Sequence, residues 1–97
     1  MNTDSILRPK FSLGQTVVTP GALAAMQEAG QSPAEFLARH VSGNWGEVCD
    51  GDKGLNDEAL VNGERVLSAY RTARDVRIWV ITEADRSSTC ILLPEEY

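Results

Sequence analysis

The sequence has few of the residues that build disulfide frameworks, metal centres and catalytic triads. Its 97 residues include two cysteines and one histidine. Cys49 and Cys90 belong to no CxxC or CxxH spacing, which argues against a disulfide scaffold and a zinc site. We expect two buried or half-buried thiols instead. Nucleophile elbows, Walker loops, dinucleotide glycine fingerprints and HExxH are also missing. The composition therefore predicts neither a metal nor a cofactor.

Long apolar runs and excess positive charge are also lacking. No run approaches the ~20 apolar residues of a membrane span, and the first residues lack the apolar stretch of a signal peptide. Nine Lys+Arg against fourteen Asp+Glu give a net charge of −5. This charge disfavours a nucleic-acid partner, because such binding depends on neutralising phosphates. We expect a cytoplasmic protein with no membrane partner, and the oligomeric state stays open.

What the chain does contain is enough for one small domain. A hydrophobic content of 42% over 97 residues supports a single core. Residues 1–12 are polar and interrupted by Pro9, which predicts a flexible leader. Residues 13–97 form the predicted domain, beginning with a short strand at Leu13–Val18.

Two helices are predicted from their capping residues. The first has Thr19 as its cap and Pro20 at its first position, and it runs to a left-handed stop at Gly30. The second has Ser32 as its cap, and Glu35 completes a capping box. Their tight connection predicts an antiparallel pair. The glycine-rich stretch that follows predicts a loop with one short helix, Asp57–Val61.

From Glu64 onward the pattern becomes that of β-strands. The segments ERVLSAYRT, VRIWVITE and STCILL are rich in β-branched or aromatic residues and are separated by short turns. VRIWVITE is apolar on both faces and is predicted to be the central strand. The fold class is therefore α+β, with two antiparallel helices and a short third helix on one face of a three- to four-stranded antiparallel meander.

The only histidine, His40, lies in the segment RHVSGNWGEVC, residues 39–49. It follows Phe36 by four residues, so we interpret it as a structural histidine at a helix C-terminus, where the helix dipole favours its charged form. A catalytic or ligand-contacting histidine is the alternative. We interpret Trp45 as a ring folded onto the core beside a partly buried Cys49, and a Trp on a binding surface is the alternative.

Polar residues also crowd the turn ITEADRSST, residues 81–89. Solubility and turn geometry explain such a turn without any function. The functional alternative makes Glu83 a positioned acid and Arg86 a phosphate fork, with Arg65 contributing from the preceding strand. The candidate binding residues are Trp45, Tyr70, Asp85 and Arg86.

The segments LARHVSGNWGE, RVLSAY, IWVITEADRSST and ILLPEEY resemble the sequence blocks of a small bacterial family of "plasmid-related" proteins, found in plasmids and integrated elements. The similarity spans about Leu13 to Tyr97, and the last block is its most specific part. The resemblance implies an accessory role in a mobile element and implies no particular activity.

Two hypotheses follow. The first is a small accessory protein that acts by binding a macromolecular partner, expected to be a protein, without catalysis. The second rests on architecture, because two helices before an antiparallel meander are similar to the barnase/RelE-like fold of metal-independent RNases and toxins. His40, Glu83, Arg65 and Arg86 map onto the acid, base and phosphate-binding roles of those enzymes by analogy alone.

Overall fold

The computed structural model describes residues 9–97. Most of the predicted leader lies outside the described residues, but its end lies against the domain. The Lys10 N–H donates to the Val41 carbonyl at 2.8 Å, and the Phe11 ring lies 5.2 Å from the His40 ring. The first strand, β1, spans Gln15–Val18. It begins later than predicted because Gly14 has a left-handed backbone, with φ of 64°.

The first helix, α1 (Pro20–Glu28), begins as its capping residues predict. The Thr19 side-chain oxygen accepts a hydrogen bond from the Ala22 N–H at 3.3 Å, and Pro20 occupies the first turn, where its missing N–H costs no hydrogen bond. Gly30 follows the helix with φ of 70°, a conformation that glycine adopts without strain.

The second helix, α2, spans Pro33–Val41, but its predicted capping box is wrong. Ser32 occupies the cap position with an extended backbone, yet its hydroxyl makes no capping hydrogen bond. The Glu35 carboxylate instead accepts a hydrogen bond from the Gln31 side-chain amide at 2.8 Å. The sequence therefore contains the capping-box motif, but neither the Ser32 nor the Glu35 side chain makes the hydrogen bond that the motif predicts.

The third helix, α3, is longer than predicted and spans Asp50–Asn62. Gly51 and Gly54 in its first half indicated a loop, since glycine costs a helix roughly 1 kcal/mol relative to alanine. Asp50 and Asp52 in the first turn offset part of this cost, because their carboxylates interact favourably with the N-terminal end of the helix dipole. The helix ends one residue after the predicted end, at Asn62, with Gly63 as its C-terminal cap.

The later strands form the predicted antiparallel meander of β2 (Val66–Arg71), β3 (Arg77–Thr82) and β4 (Ser88–Leu92). β3 lies between β2 and β4, as its two apolar faces predict. The sheet order is β1-β4-β3-β2. The sheet is nevertheless mixed, since β1 pairs with β4 in parallel. A parallel pair needs a long connection, which the three helices and two strands between β1 and β4 supply.

The three helices lie on one side of this sheet and make it an α+β fold. Each packs on a different strand: α1 on β4, α2 on β3 and α3 on β2. The main core cluster contains Ala22, Met26, Phe36, Tyr70, Ile78, Val80 and Ile91. A second cluster contains Trp45, Ala59 and Val66. All the strand residues in these clusters point to the same side, because side chains alternate along a strand.

The opposite side of the sheet, called here the open face, carries Leu67, Trp79, Ile81 and Cys90. Near the C-terminus, a short 3-10 turn, Pro94–Glu96, contacts β3. Tyr97 follows this turn and packs edge-on against Trp79, with 5.8 Å between the ring centroids. Within the described part of the chain, no helix has the length and apolar character needed to cross a membrane.

Candidate functional site

His40 is the centre of a buried polar chain on the helix side of the sheet. It comes from the last turn of α2 and is fully buried. Its Nδ1 lies 2.6 Å from the Ser68 hydroxyl on β2, and its Nε2 lies 2.9 Å from the Thr82 hydroxyl on β3. Both ring nitrogens therefore have partners inside the protein.

The donor and the acceptor in each of these hydrogen bonds follow from Thr89, the next side chain in this row of hydrogen-bonded groups. Thr89 bonds to the Leu13 carbonyl at 2.7 Å, and because a carbonyl can only accept, the Thr89 hydroxyl is the donor. Thr82, 2.7 Å from Thr89, must then donate to Thr89 and accept from His40 Nε2–H. In the neutral imidazole Nδ1 then accepts from Ser68, which corresponds to the Nε2–H tautomer.

The charge state of His40 differs from the expectation based on its place at a helix end. Burial, and to a lesser extent the positive charge of Arg86, together lower the pKa of His40 from 6.5 to about 4. A helix C-terminus favours the charged form by only about 0.3–1 kcal/mol. Desolvation is the larger effect for a buried imidazole, so His40 is neutral near pH 7.

Aromatic rings enclose the imidazole. The Phe11 ring lies 5.2 Å from it and the Trp45 ring 5.8 Å from it, both edge-on. Trp45 is 4% exposed, and its indole N–H donates to Asp57 on α3 at 3.1 Å. This confirms the interpretation of Trp45 as a core residue.

The Arg86 guanidinium bonds to backbone carbonyls around the β3–β4 turn. Its Nη1 group donates to the carbonyls of Glu64 at 2.6 Å, Glu83 at 3.0 Å and Ala84 at 3.3 Å. Its Nη2 group donates to the Ala59 carbonyl at 3.2 Å. The guanidinium thereby joins the end of α3 to the β3–β4 turn. Positive charge near the C-terminus of a helix is favourable.

Tyr70 and Asp85 are placed in different environments. Tyr70 is 1% exposed, its hydroxyl donates to the Asn44 carbonyl, and burial raises its pKa to about 12. Asp85 is exposed in the β3–β4 turn, where its carboxylate accepts the Ser87 N–H at 3.0 Å. Hydrogen bonding from the Ser87 side chain, and then from its backbone N–H, lowers the pKa of Asp85.

The remaining two candidates meet on the other side of the sheet. Arg65 donates to Glu83 at 3.1 Å and to the Tyr97 hydroxyl at 3.0 Å. His40 lies on the helix side, whereas this pair lies on the open face. The structure therefore brings Arg65 and Glu83 together but does not bring them together with His40.

The two cysteines differ in exposure. Cys90 is half-buried on the open face, as predicted, but Cys49 is exposed, because it occupies the cap position before α3. Among residues 9–97, no three His, Cys, Asp or Glu side chains are close enough together to hold a metal ion.

Two concave regions lie outside the buried polar chain. An apolar groove of about 590 Å³ runs between residues 9–14 and α2, with Phe11, Leu13, Leu37 and Val41 among its lining residues. A smaller pocket of about 250 Å³ is lined by Asp52, Leu55, Asn56, Arg65 and Leu67. The smaller pocket adjoins the open face through Arg65 and Leu67.

The sequence analysis did not identify three open-face residues as candidate binding residues: Trp79, Tyr97 and Arg77. Trp79 is half-buried, and Tyr97 is 71% exposed. The signal for Trp79 was present, since a strand that is apolar on both faces must place an apolar surface away from the helices. The packing of Tyr97 against Trp79 was not predictable, because the two residues are distant in the sequence.

Comparison with protein-family models, curated proteins and solved structures gives no match to this chain.

Proposed function

We propose that the protein is a binding module for another protein and that the partner docks on the open face. The observation that carries the proposal is the aromatic pair there. Trp79 is half-buried, Tyr97 is 71% exposed, and their rings pack edge-on. Trp and Tyr are enriched among the residues that contribute most to protein–protein binding energy.

The aromatic pair is held in place before any partner arrives. Arg65 donates to the Tyr97 hydroxyl at 3.0 Å. The Glu96 carboxylate fixes the preceding turn by accepting the N–H groups of Leu93 at 2.8 Å and Gly21 at 3.2 Å. A side chain that is already ordered loses less conformational entropy on binding, which favours this pair as an anchor.

Apolar side chains surround the pair. Leu67 and Cys90 are half-buried on the same face, and Leu55 of α3 is 61% exposed beside Leu67. Exposed apolar residues that stand next to one another, unlike isolated ones, are typical of interaction surfaces. The partner is therefore expected to present an apolar centre to this face.

The charges at the end of the face favour an acidic rim on the partner. Arg71 and Arg77 lie directly opposite each other on β2 and β3, an unfavourable like-charge pair. Arg71 is paired with Glu47 and Asp75, both at 2.8 Å. Arg77 has no ion pair among the described residues. A partner carboxylate near Arg77 would relieve this repulsion.

The setting of the proposal comes from the resemblance to plasmid-related proteins. In it the protein is a cytoplasmic accessory protein of a mobile element, and its partner is encoded by the host or by the element. The acidic net charge of −5 supports a protein partner over a nucleic acid.

The RNase hypothesis receives less support from the geometry. A general base must come within hydrogen-bond distance of the proton that it removes, and His40 is fully buried with both nitrogens bonded internally. The guanidinium of Arg86 is bonded to backbone carbonyls. The proposed function therefore does not include RNA cleavage.

The test is affinity capture from cells that encode the protein, identification of the bound protein, and measurement of Kd with both components purified. We expect Trp79→Ala to raise Kd at least ~10-fold, since anchor aromatics contribute more than ~1.4 kcal/mol. Arg77→Glu should raise Kd as well.

The matched control is Val61→Ala, because Val61 is an 85% exposed apolar residue of α3 away from this face. It should leave Kd unchanged. Unchanged affinity in both open-face variants would rule the proposal out, and so would capture of a nuclease-sensitive nucleic acid in place of a protein. Circular dichroism must show that each variant is folded.

A further inference from the structure

The two edges of the sheet differ in how their backbone groups are satisfied. At the β2 edge, the Asn56 side chain bonds to Leu67 twice, accepting its N–H at 3.1 Å and donating to its carbonyl at 2.7 Å. Ala69 donates its N–H to the Trp45 carbonyl at 3.1 Å and accepts the Glu47 N–H at 2.6 Å. This edge is therefore closed by the protein itself.

The β1 edge is not closed in this way. Gln15 and Thr19 donate their N–H groups to β4 and the residue before it, each at 3.0 Å. Because backbone groups alternate in direction along a strand, the N–H and C=O groups of Thr16 and Val18 point away from the sheet. Within residues 9–97 no hydrogen bond to these groups is formed outside the β1–β4 pair.

The sequence of β1 also lacks the devices that protect a free edge. Natural edge strands are guarded by lysine, proline or a bulge, which prevent pairing with another chain. β1 reads Gln-Thr-Val-Val, with no charge and no proline. Three of its residues are exposed, and Val17 is 44% exposed. Although the protein has a net charge of −5, two copies of this strand can meet without opposing like charges.

We propose that two copies of the protein pair through β1 in antiparallel fashion, with the two-fold axis at Val17. In this register Thr16 exchanges both its outward backbone hydrogen bonds with Val18 of the second copy, and the reverse exchange occurs across the axis. Val17 then faces Val17 of the second copy as a non-hydrogen-bonded pair, with Cα atoms about 4.5 Å apart. The two sheets become one continuous sheet.

The closed β2 edge decides the size of the assembly. A β1 edge cannot add to the β2 edge of another copy, because Asn56, Trp45 and Glu47 occupy that edge. Pairing is therefore isologous and stops at a dimer, whereas pairing of unlike edges would continue into a fibre. The four-residue strand makes a small interface, so the dimer dissociates on dilution.

The first test measures mass against concentration by sedimentation equilibrium. The wild type is expected to pass from the 10.6 kDa monomer to twice that mass as its concentration rises. Val17→Lys should remain monomeric at all concentrations, because the charge lies on the axis next to its copy. Val61→Lys, at the 85% exposed valine of α3, should dimerise like the wild type.

The second test reads the register by cross-linking. Val17→Cys is combined with Cys49→Ser and Cys90→Ser, since Cys90 is the β4 neighbour of Val17 and would compete for the introduced thiol. Oxidised glutathione should convert this variant into a covalent dimer, because a non-hydrogen-bonded antiparallel pair allows disulfide geometry. Val61→Cys in the same background should remain monomeric.

The proposal is overturned by a wild type that stays monomeric at every concentration, by dimerisation of Val17→Lys, or by equal cross-linking at both positions. Loss of the dimer on Trp79→Ala with retention in Val17→Lys would assign the interface to the open face instead. The edge pairing does not rest on the function proposed above, which is tested by the affinity of Trp79→Ala for a different protein.

Discussion

At the scale of single residues, His40 and Arg86 show how tertiary contacts redefine polar side chains. Both are candidates for catalysis by residue type. His40 bonds to two hydroxyls inside the core, and Arg86 bonds to backbone carbonyls of α3 and the β3–β4 turn. Buried polar groups need such partners, since an unsatisfied one costs about 1–3 kcal/mol. The polar groups of both side chains therefore stabilise the fold through internal hydrogen bonds.

The burial of His40 predicts a loss of stability in mild acid. The pKa of His40 is about 4 in the folded protein, against 6.5 for a solvated imidazole. The unfolded chain therefore takes up a proton first as the pH falls, which favours unfolding. The free energy of unfolding should fall between pH 6.5 and 4, by about 3 kcal/mol at most. Urea unfolding at pH 7, 5.5 and 4.5 measures this slope.

His40→Gln is the control, because glutamine hydrogen-bonds without titrating. It should lower stability at pH 7 and flatten the slope above pH 4.5. The lowered carboxyl pKa values of Asp85 and Glu96 reduce stability only as the pH falls to about 4.5 and below, so the slope between pH 6.5 and 4.5 reports His40. An equally steep slope in His40→Gln would refute the assignment to His40.

At the scale of secondary structure elements, the helix starts were predictable but their side-chain contacts were not in every case. Thr19 and Ser32 both precede a proline and occupy cap positions. Only Thr19 makes the capping bond, at 3.3 Å. Capping residues favour a backbone conformation locally, but the rotamer of the hydroxyl depends on its surroundings. The length of α3 was missed for a related reason, since Gly51 and Gly54 read locally as loop residues.

The two caps predict different effects of the same substitution. Thr19→Ala should lower the free energy of unfolding by at least about 1 kcal/mol, because it leaves the Ala22 N–H without its partner and removes the hydrogen bond from the Thr19 hydroxyl to Glu96. Ser32→Ala should change it by less than about 0.5 kcal/mol, since the Ser32 hydroxyl makes no capping bond. Chemical denaturation of both variants provides the comparison. A larger loss for Ser32→Ala than for Thr19→Ala would show that α2 is capped by its serine after all.

At the scale of the whole molecule, the arrangement of the sheet separates three surfaces. The helix side contains the core, the open face carries the aromatic pair, and β1 leaves one edge free. Asn56 links α3 to this arrangement because its 6% exposed side chain acts as a substitute strand for Leu67. One side chain therefore both fixes a helix and closes an edge.

Asn56→Ala should have two effects. Stability should fall by about 2 kcal/mol, because two backbone groups of Leu67 lose their partners. The Leu67 groups that become free at the β2 edge should then pair with β1 edges, giving a fraction of assemblies larger than a dimer, while Trp45 and Glu47 still cover Ala69. Light scattering after size-exclusion chromatography and urea unfolding measure the two effects. Asn62→Ala, an exposed position on the same helix, is the control. A variant that matches the control in both measurements would contradict the role given to Asn56.

The sequence alone is enough to predict the α+β class, the cap and stop of α1, and the antiparallel order of β2, β3 and β4. These depend on periodicity and capping, which act over a few residues. Only the tertiary structure decided that β1 joins β4 in parallel, that His40 is neutral, and that Arg86 is bonded to backbone. Each depends on groups distant in the sequence, such as Thr89 and Leu13, whose approach no local pattern encodes.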